Sequence, residues 1–359
     1  MEKRILGRSG LEVGAIGLGV EHMTVSRANM EAVFDLAVPA GANVIDLLYN
    51  DPADTHASIW NAMAPVLRRH RDRLVLVAHW GFVYHEPMDH CRKCLDQVLG
   101  QLGNGYAEVA MLTMVDTQAI WESWAQRSIE TLRRYQREGR VGWIGMSGHD
   151  VDVARTAVES GLIDVLMFPV NLFQHHGNEK REALLASCSE NEVGVVAMKP
   201  YHGGRLLSSR GRATGITPVQ CLHYVLSQPV STIVPGARDA GEMRQALAYL
   251  DASEQEKRYA PLHEELKERL RGECTQCQHC LPCPQGIPIH TLIWTLGTME
   301  YYGHGVLHDE REFSREKYAA FEAKGSDCTE CGVCLERCPF GVDIIGKMRR
   351  AVEVFETRA

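Results

Sequence analysis

The sequence predicts an α/β protein: a (β/α)8 TIM barrel followed by a smaller, mainly helical domain. Three observations carry this. The chain has 359 residues, the length of a large barrel with an appendage. Short runs rich in Val, Ile and Leu alternate with amphipathic stretches of helix length through roughly the first 250 residues. Finally, eight of the 12 cysteines crowd between Cys274 and Cys338.

The strands are expected at Ala15–Gly19, Asn43–Asp46, Leu74–Ala78, Glu108–Leu112, Trp143–Met146, Val165–Phe168, Val195–Met198 and Ser231–Val234. Between them lie helical patterns over Arg27–Ala37, Met88–Leu102, Thr117–Arg137, Val151–Ser160, Glu179–Ser189, Pro218–Ser227 and Glu242–Leu250. Continuous apolar strands alternating with helices read as a parallel sheet, here eight-stranded and closed. An open doubly wound sheet is the alternative. It lacks support because no Gly-x-Gly-x-x-Gly follows the first strand, and Gly17-Leu18-Gly19 is too short for a dinucleotide fingerprint. The barrel is assigned to residues 1–252 and the second domain to 253–359.

Composition narrows the function classes. Apolar residues make up 45% and charged residues 23%, and no run approaches the roughly 18 apolar residues of a membrane span. A net charge of −8 argues against a nucleic-acid surface. Met1-Glu2-Lys3-Arg4 leads into no apolar signal region, so a cytoplasmic location is expected. Cysteines there serve metals or catalysis more often than disulfides.

Their spacing is specific. The first run is Cys274-x2-Cys277-x2-Cys280-x2-Cys283-Pro284 and the second Cys328-x2-Cys331-x2-Cys334-x3-Cys338-Pro339. The second is the bacterial ferredoxin pattern for a [4Fe–4S] cluster, and the first is one residue short in its last gap. In two-cluster proteins the fourth cysteine of a run ligates the other cluster. Cys274, Cys277, Cys280 and Cys338 are therefore assigned to one cluster, and Cys328, Cys331, Cys334 and Cys283 to the other. Structural zinc is the alternative. Residues 284–327, between the runs, read as helix. Cys91 and Cys94 share a helical face with Leu95, Val98 and Leu102, so they read as core thiols rather than a metal pair, as do Cys188 and Cys221.

In a barrel, chemistry sits at the carboxyl ends of the strands. Those ends offer Glu21 and His22, Asp46 and Tyr49, His79, Thr113 and Asp116, and Ser147, His149 and Asp150. They continue with Asn171, His175 and His176, then Lys199, Tyr201 and His202, and lastly Gly236 and Arg238.

Several segments resemble the aldo/keto reductase superfamily. They are Leu6-Gly7-Arg8-Ser9-Gly10-Leu11-Glu12-Val13, Asn43-Val44-Ile45-Asp46, Gly145-Met146-Ser147, the Val196–Leu206 stretch and Val234-Pro235-Gly236. The cysteine runs resemble the branch with an appended ferredoxin domain. The resemblance implies a barrel binding NAD(P)H across its mouth, and a catalytic set of Asp, Tyr, Lys and His. Only Asp46 matches that set. Asp51 stands at the Tyr position, with Tyr49 two residues early; His79 replaces the Lys and Thr113 the His. On the cofactor side, Ser147-Gly148 replaces Ser-Asn, while Glu242 and Ala246 replace the Arg and Asn that grip the adenosine phosphate. Arg238 and Arg244 are nearby cations. Cofactor contacts are expected from Ser147, Gly148, Asn171, Gly236 and Arg238.

The expected function is an iron–sulfur oxidoreductase acting on a small polar substrate, with a ferredoxin or flavodoxin-type electron partner. Asp46, Tyr49, His79, Lys199, Tyr201 and His202 are its candidate catalytic residues. An NADP(H)-dependent reductase with a rearranged acid is the alternative. A non-redox lyase, isomerase or hydrolase with structural clusters, and an electron-transfer or sensor protein, complete the set.

Overall fold

A computed structural model of the chain describes residues 1–48, 56–81, 87–175, 178–209, 212–259, 268, 270–301 and 310–357. The chain divides into two compact units, Met1–Tyr259 and Ala260–Ala359. The first unit runs past residue 252 because Ser253 caps a short helix, Glu254–Lys257, that packs on the barrel helix Pro218–Leu226. Gln220 Nε2 donates to the Arg258 carbonyl at 2.7 Å and secures it.

A hairpin comes first, β1 (Lys3–Ile5) paired antiparallel with β2 (Glu12–Gly14). Then come the barrel strands β3 (Leu18–Gly19), β4 (Val44–Leu47), β5 (Val75–Trp80), β6 (Ala107–Leu112), β7 (Val141–Ser147), β8 (Val165–Pro169) and β9 (Gly194–Met198). A two-residue hairpin, β10 (Ser208–Ser209) and β11 (Arg212–Ala213), precedes the last strand, β12 (Thr232–Val234). The eight barrel strands pair in parallel in chain order. Bridges Ile16–Ile233 and Gly19–Gly236 join first to last and close the ring. The first strand is shorter than the expected Ala15–Gly19, because only these bridges and β3 pair there.

Alternation fills the interior. Val44, Val75, Val77, Val109, Met111, Val165, Met167, Val196 and Val234 form one buried cluster, joined by Leu6 and Val13 from the N-terminal hairpin. Side chains two residues apart on a strand share a face. Asp46 therefore follows Val44 inward, His79 follows Val77, and Thr113 follows Met111. The sequence period that builds the core also delivers these polar groups to the barrel's carboxyl end.

Two expected helices differ. The segment over Thr117–Arg137 begins at Gln118 and passes through a π turn, Trp121–Ala125, whose wider turn accommodates two buried indoles, Trp121 and Trp124. In the second unit, 284–327 is not one helix. Pro288 sits just ahead of Ile289–Tyr301, a second helix spans Glu310–Ala319, and a 3-10 turn covers Gly325–Asp327. The helix His56–His70 and both hairpins had no counterpart in the sequence reading.

A buried ion pair clamps the amino-terminal side of the barrel. Arg71 donates to the carbonyls of Leu74 (3.1 Å) and Tyr106 (2.8 Å) and to both oxygens of Glu108 (3.0 and 3.1 Å). Glu108 in turn accepts from Leu76 N at 2.8 Å. Arg71→Met is expected to cost about 3 kcal/mol, because it strands a largely buried carboxylate. Denaturant melts should show a lower midpoint with an unchanged slope.

Candidate active site and thiol-lined hollows

Three strand ends meet in a buried polar chain. His79 Nε2 lies 2.7 Å from Asp46 Oδ1, and its Nδ1 lies 2.9 Å from Thr113 Oγ1. Thr113 Oγ1 is also 2.7 Å from the Gly81 carbonyl oxygen. His79 and Thr113 are buried and the Asp46 side chain is 12% exposed, so most of their bonding is met within the protein. The threonine hydroxyl has one proton, and two arrangements satisfy the chain. In one, Thr113 donates into Nδ1 and the neutral ring donates from Nε2 to Asp46. In the other, Thr113 donates to Gly81 and both ring nitrogens donate. The chain can take up or release one proton without moving a heavy atom, which is what a general acid–base group requires. The structure thus joins Asp46 and His79 and adds Thr113, a strand-end residue outside the candidate catalytic set.

A second chain crosses the same end. His149 Nδ1 stands 3.2 Å from Asp116 Oδ2, and Lys199 Nζ stands 2.8 Å from His149 Nε2. Lys199 keeps an open face by area, yet its Nζ is crowded. That desolvation lowers its pKa, while Glu21 and Asp116 oppose the shift. Lys199 and His202 both adopt left-handed backbone, at φ 54° and 51°. The Lys199 carbonyl accepts from His202 N (2.9 Å) and Asn171 Nδ2 (3.2 Å), which holds that conformation. Residues held this way cluster at functional sites. His202 stands edge-on to Phe173 at 5.9 Å. The Tyr201 hydroxyl is buried with no hydrogen-bond partner among the described residues, and burial raises its pKa far above the usual phenol. It is a poor proton donor there. Tyr49, Asp51 and His176 lie outside the described residues, as does the His175 side chain.

The expected cofactor contacts are engaged in the fold's own bonds. Ser147 Oγ accepts from Met114 N at 3.0 Å, tying β7 to the loop after β6. A Cβ on Gly148 would come within 2.8 Å of the Val115 carbonyl oxygen, so an asparagine does not fit without backbone movement. Asn171 bonds Gln174 and the Lys199 carbonyl. Gly236 pairs with Gly19 in the barrel's closing bridge. Arg238 donates to Glu242 through Nε (2.7 Å) and its backbone N–H (2.8 Å), an exposed ion pair that places a carboxylate beside the cation expected to meet a phosphate.

In the second unit the eight clustered cysteines line two hollows. Cys274, Cys277, Cys280 and Cys338 face one; Cys283, Cys328, Cys331 and Cys334 face the other. These are the crossed sets expected from the spacing. Ile344 lines both. The two loops share a backbone pattern: Gln276 and Gln278 flank Cys277 with φ of 58° and 69°, and Glu330 and Gly332 flank Cys331 with 56° and 80°. Left-handed residues on either side of the middle cysteine curl each loop around its hollow. Arg337 Nη1 donates to the Pro282 carbonyl at 3.0 Å, holding the ends of the two runs together. Burial, then Cys274, Cys277 and Cys338, push the Cys280 thiol up; burial, then Cys328, Cys283 and Cys331, do the same for Cys334. Four thiolates facing one hollow repel each other unless a cationic core compensates. Among the described residues, no group of three or more His, Cys, Asp or Glu side chains is gathered tightly enough for a single metal ion.

A closed parallel barrel with polar chains at its carboxyl end defines a TIM-barrel enzyme. The model of the aldo/keto reductase family matches residues 11–219, more than half of the chain. The protein belongs to the aldo/keto reductase family and is an oxidoreductase. It is 21% identical over 297 residues to an uncharacterized oxidoreductase, YqkF, of Bacillus subtilis, covering 70% of this chain and 92% of that one. It is 24% identical over 228 residues to the L-glyceraldehyde 3-phosphate reductase of Escherichia coli, covering 57% and 63%. The fold is similar to an aldo-keto reductase structure from Bacillus halodurans, with a TM-score of 0.60 and 18% identity over 74% of this chain and 95% of that one.

The His202 environment makes a pH prediction. Burial first, then Arg205, Lys199 and Arg181, push its pKa down from 6.5 to about 3. The unfolded chain therefore binds the proton first. The stability this provides is present above about pH 6.5 and is lost as pH falls toward 3. Thermal melts of His202→Gln should show a shallower decline between pH 6.5 and 4 than the parent protein.

Proposed function

We propose that the protein is an iron–sulfur oxidoreductase acting on a small polar organic substrate at the barrel mouth, with two [4Fe–4S] clusters relaying its electrons. The observation that carries this is the pair of four-thiol hollows. A cubane is bonded at its corners, so it suits thiols set around a hollow better than a single zinc ion does. Cys274, Cys277, Cys280 and Cys338 would hold one cluster, and Cys283, Cys328, Cys331 and Cys334 the other. Bound there, the clusters supply electrons one at a time. A ferredoxin or flavodoxin-type protein is the proposed partner, and the cytoplasm the proposed location.

The barrel contributes the protons. His79, held between Asp46 and Thr113, is the proposed acid–base residue. It stands where the family has its lysine. Asp46 orients the ring and compensates its charge, and Thr113 sets which nitrogen carries the proton. Lys199 and His202 flank the mouth as substrate-binding groups. Nicotinamide-dependent reduction is the usual chemistry of the family. It finds little support in the residues, since Ser147, Gly148, Asn171 and Arg238 are spent on internal contacts.

Two experiments test this reading. Anaerobically purified protein should contain roughly eight irons per chain, and Cys338→Ser or Cys283→Ser should each lower the count toward about four. Zinc in place of iron overturns the proposal, and so does an iron count that neither substitution changes. His79→Ala should abolish turnover with dithionite-reduced protein while leaving iron content intact; retained turnover removes His79 from the mechanism.

A further inference from the structure

The second polar chain has a chemistry of its own. Lys199, His149 and Asp116 come from the ends of three different strands, β9, β7 and β6. His149 Nδ1–H donates to Asp116, and the His149 backbone N–H also donates to Asp116 Oδ1, at 2.6 Å. Asp116 therefore fixes both the ring and its tautomer, leaving Nε2 as the acceptor that faces Lys199 Nζ at 2.8 Å. A base oriented by a carboxylate and bonded to a side-chain nucleophile is the general arrangement of activated nucleophiles. The left-handed Lys199 backbone is pinned through its carbonyl, and the side chain reaches His149 just beyond β7 while keeping a face open to solvent.

We propose that Lys199 is a nucleophilic amine that captures an aldehyde or ketone as an imine, with His149 as its proton carrier and Asp116 as the positioning residue. The substrate class is then a small carbonyl compound. His149 Nε2 takes a proton from the Lys199 ammonium, and Asp116 compensates the imidazolium. The free amine lone pair attacks the carbonyl carbon; a C–N bond forms as the C=O π bond breaks, and one proton passes from the now cationic nitrogen to the oxygen to give a neutral carbinolamine, His149 keeping the proton it took. His149 returns its proton to the carbinolamine hydroxyl, which leaves as water, and the nitrogen lone pair closes the C=N bond. One carbonyl and one ammonium become one protonated imine and one water, with no change of oxidation state. The crowding that lowers the Lys199 pKa works in the same direction, since it raises the share of free amine.

This inference stands apart from the thiol hollows, and its test does not read electron transfer. Full-length, anaerobically purified protein is incubated with glyceraldehyde and cyanoborohydride at pH 7, and its peptides are mapped by mass spectrometry. The reduced adduct should form at Lys199 several-fold faster than at any other lysine, because His149 holds its amine and takes up its proton. His149→Gln should cut labelling at Lys199 about 100-fold, the scale of a lost acid–base group, while labelling elsewhere is unchanged. If Lys199 in the parent protein is labelled no faster than the other lysines, the proposal fails without recourse to any variant. It also fails if a folded His149→Gln protein labels at the parent rate.

Discussion

The structure depends on one constraint: a closed parallel sheet lets each strand show every second residue to the interior. Below the mouth those rows are Val, Met and other apolar groups, and their burial is what closes the barrel. At the carboxyl ends the same rows continue as Asp46, His79 and Thr113. These polar groups cannot turn away from one another, because a one-residue slip would expose the apolar rows beneath them. The packing of the core thus fixes the geometry of the polar chain. The Arg71–Glu108 clamp secures the opposite end, where β5 and β6 begin, and so protects the register from below.

Much of this was legible in the sequence. Seven of the expected strands and most of the helices fall within a few residues of their observed bounds, because continuous apolar runs and amphipathic periods are strong local signals. The N-terminal hairpin was not legible. Lys3–Ile5 and Glu12–Gly14 are three residues each, and only the long-range burial of Leu6 and Val13 explains them. The π turn at Trp121–Ala125 answers a tertiary demand from two indoles that no local period records.

The candidate site divides the same way. Strand-end positions could be read, so Asp46, His79 and Lys199 were named. The partners that His149 and Thr113 would meet could not, because pairing depends on how far loops reach across the ring. His149 meets Lys199 across 50 residues of sequence, and Thr113 meets His79 across 34. The grouping of the eight thiols follows from their spacing for a different reason: two short loops leave few ways to set them around two hollows. Two contacts were beyond the sequence: the close approach of Gly148 to the Val115 carbonyl oxygen and the ion pair between Arg238 and Glu242, since both depend on where loops come to lie.

The two hollows share a backbone but not an exposure. Cys277 and Cys280 are buried, whereas Cys331 is open to solvent. Whatever the second hollow holds therefore meets dissolved oxygen and small oxidants first, while the first is screened by Phe340, Ile293 and the ring of His290. Damage in air would be ordered rather than simultaneous. With the proposed clusters in place, air would therefore strip the outer set first and leave the inner set as the last to be lost.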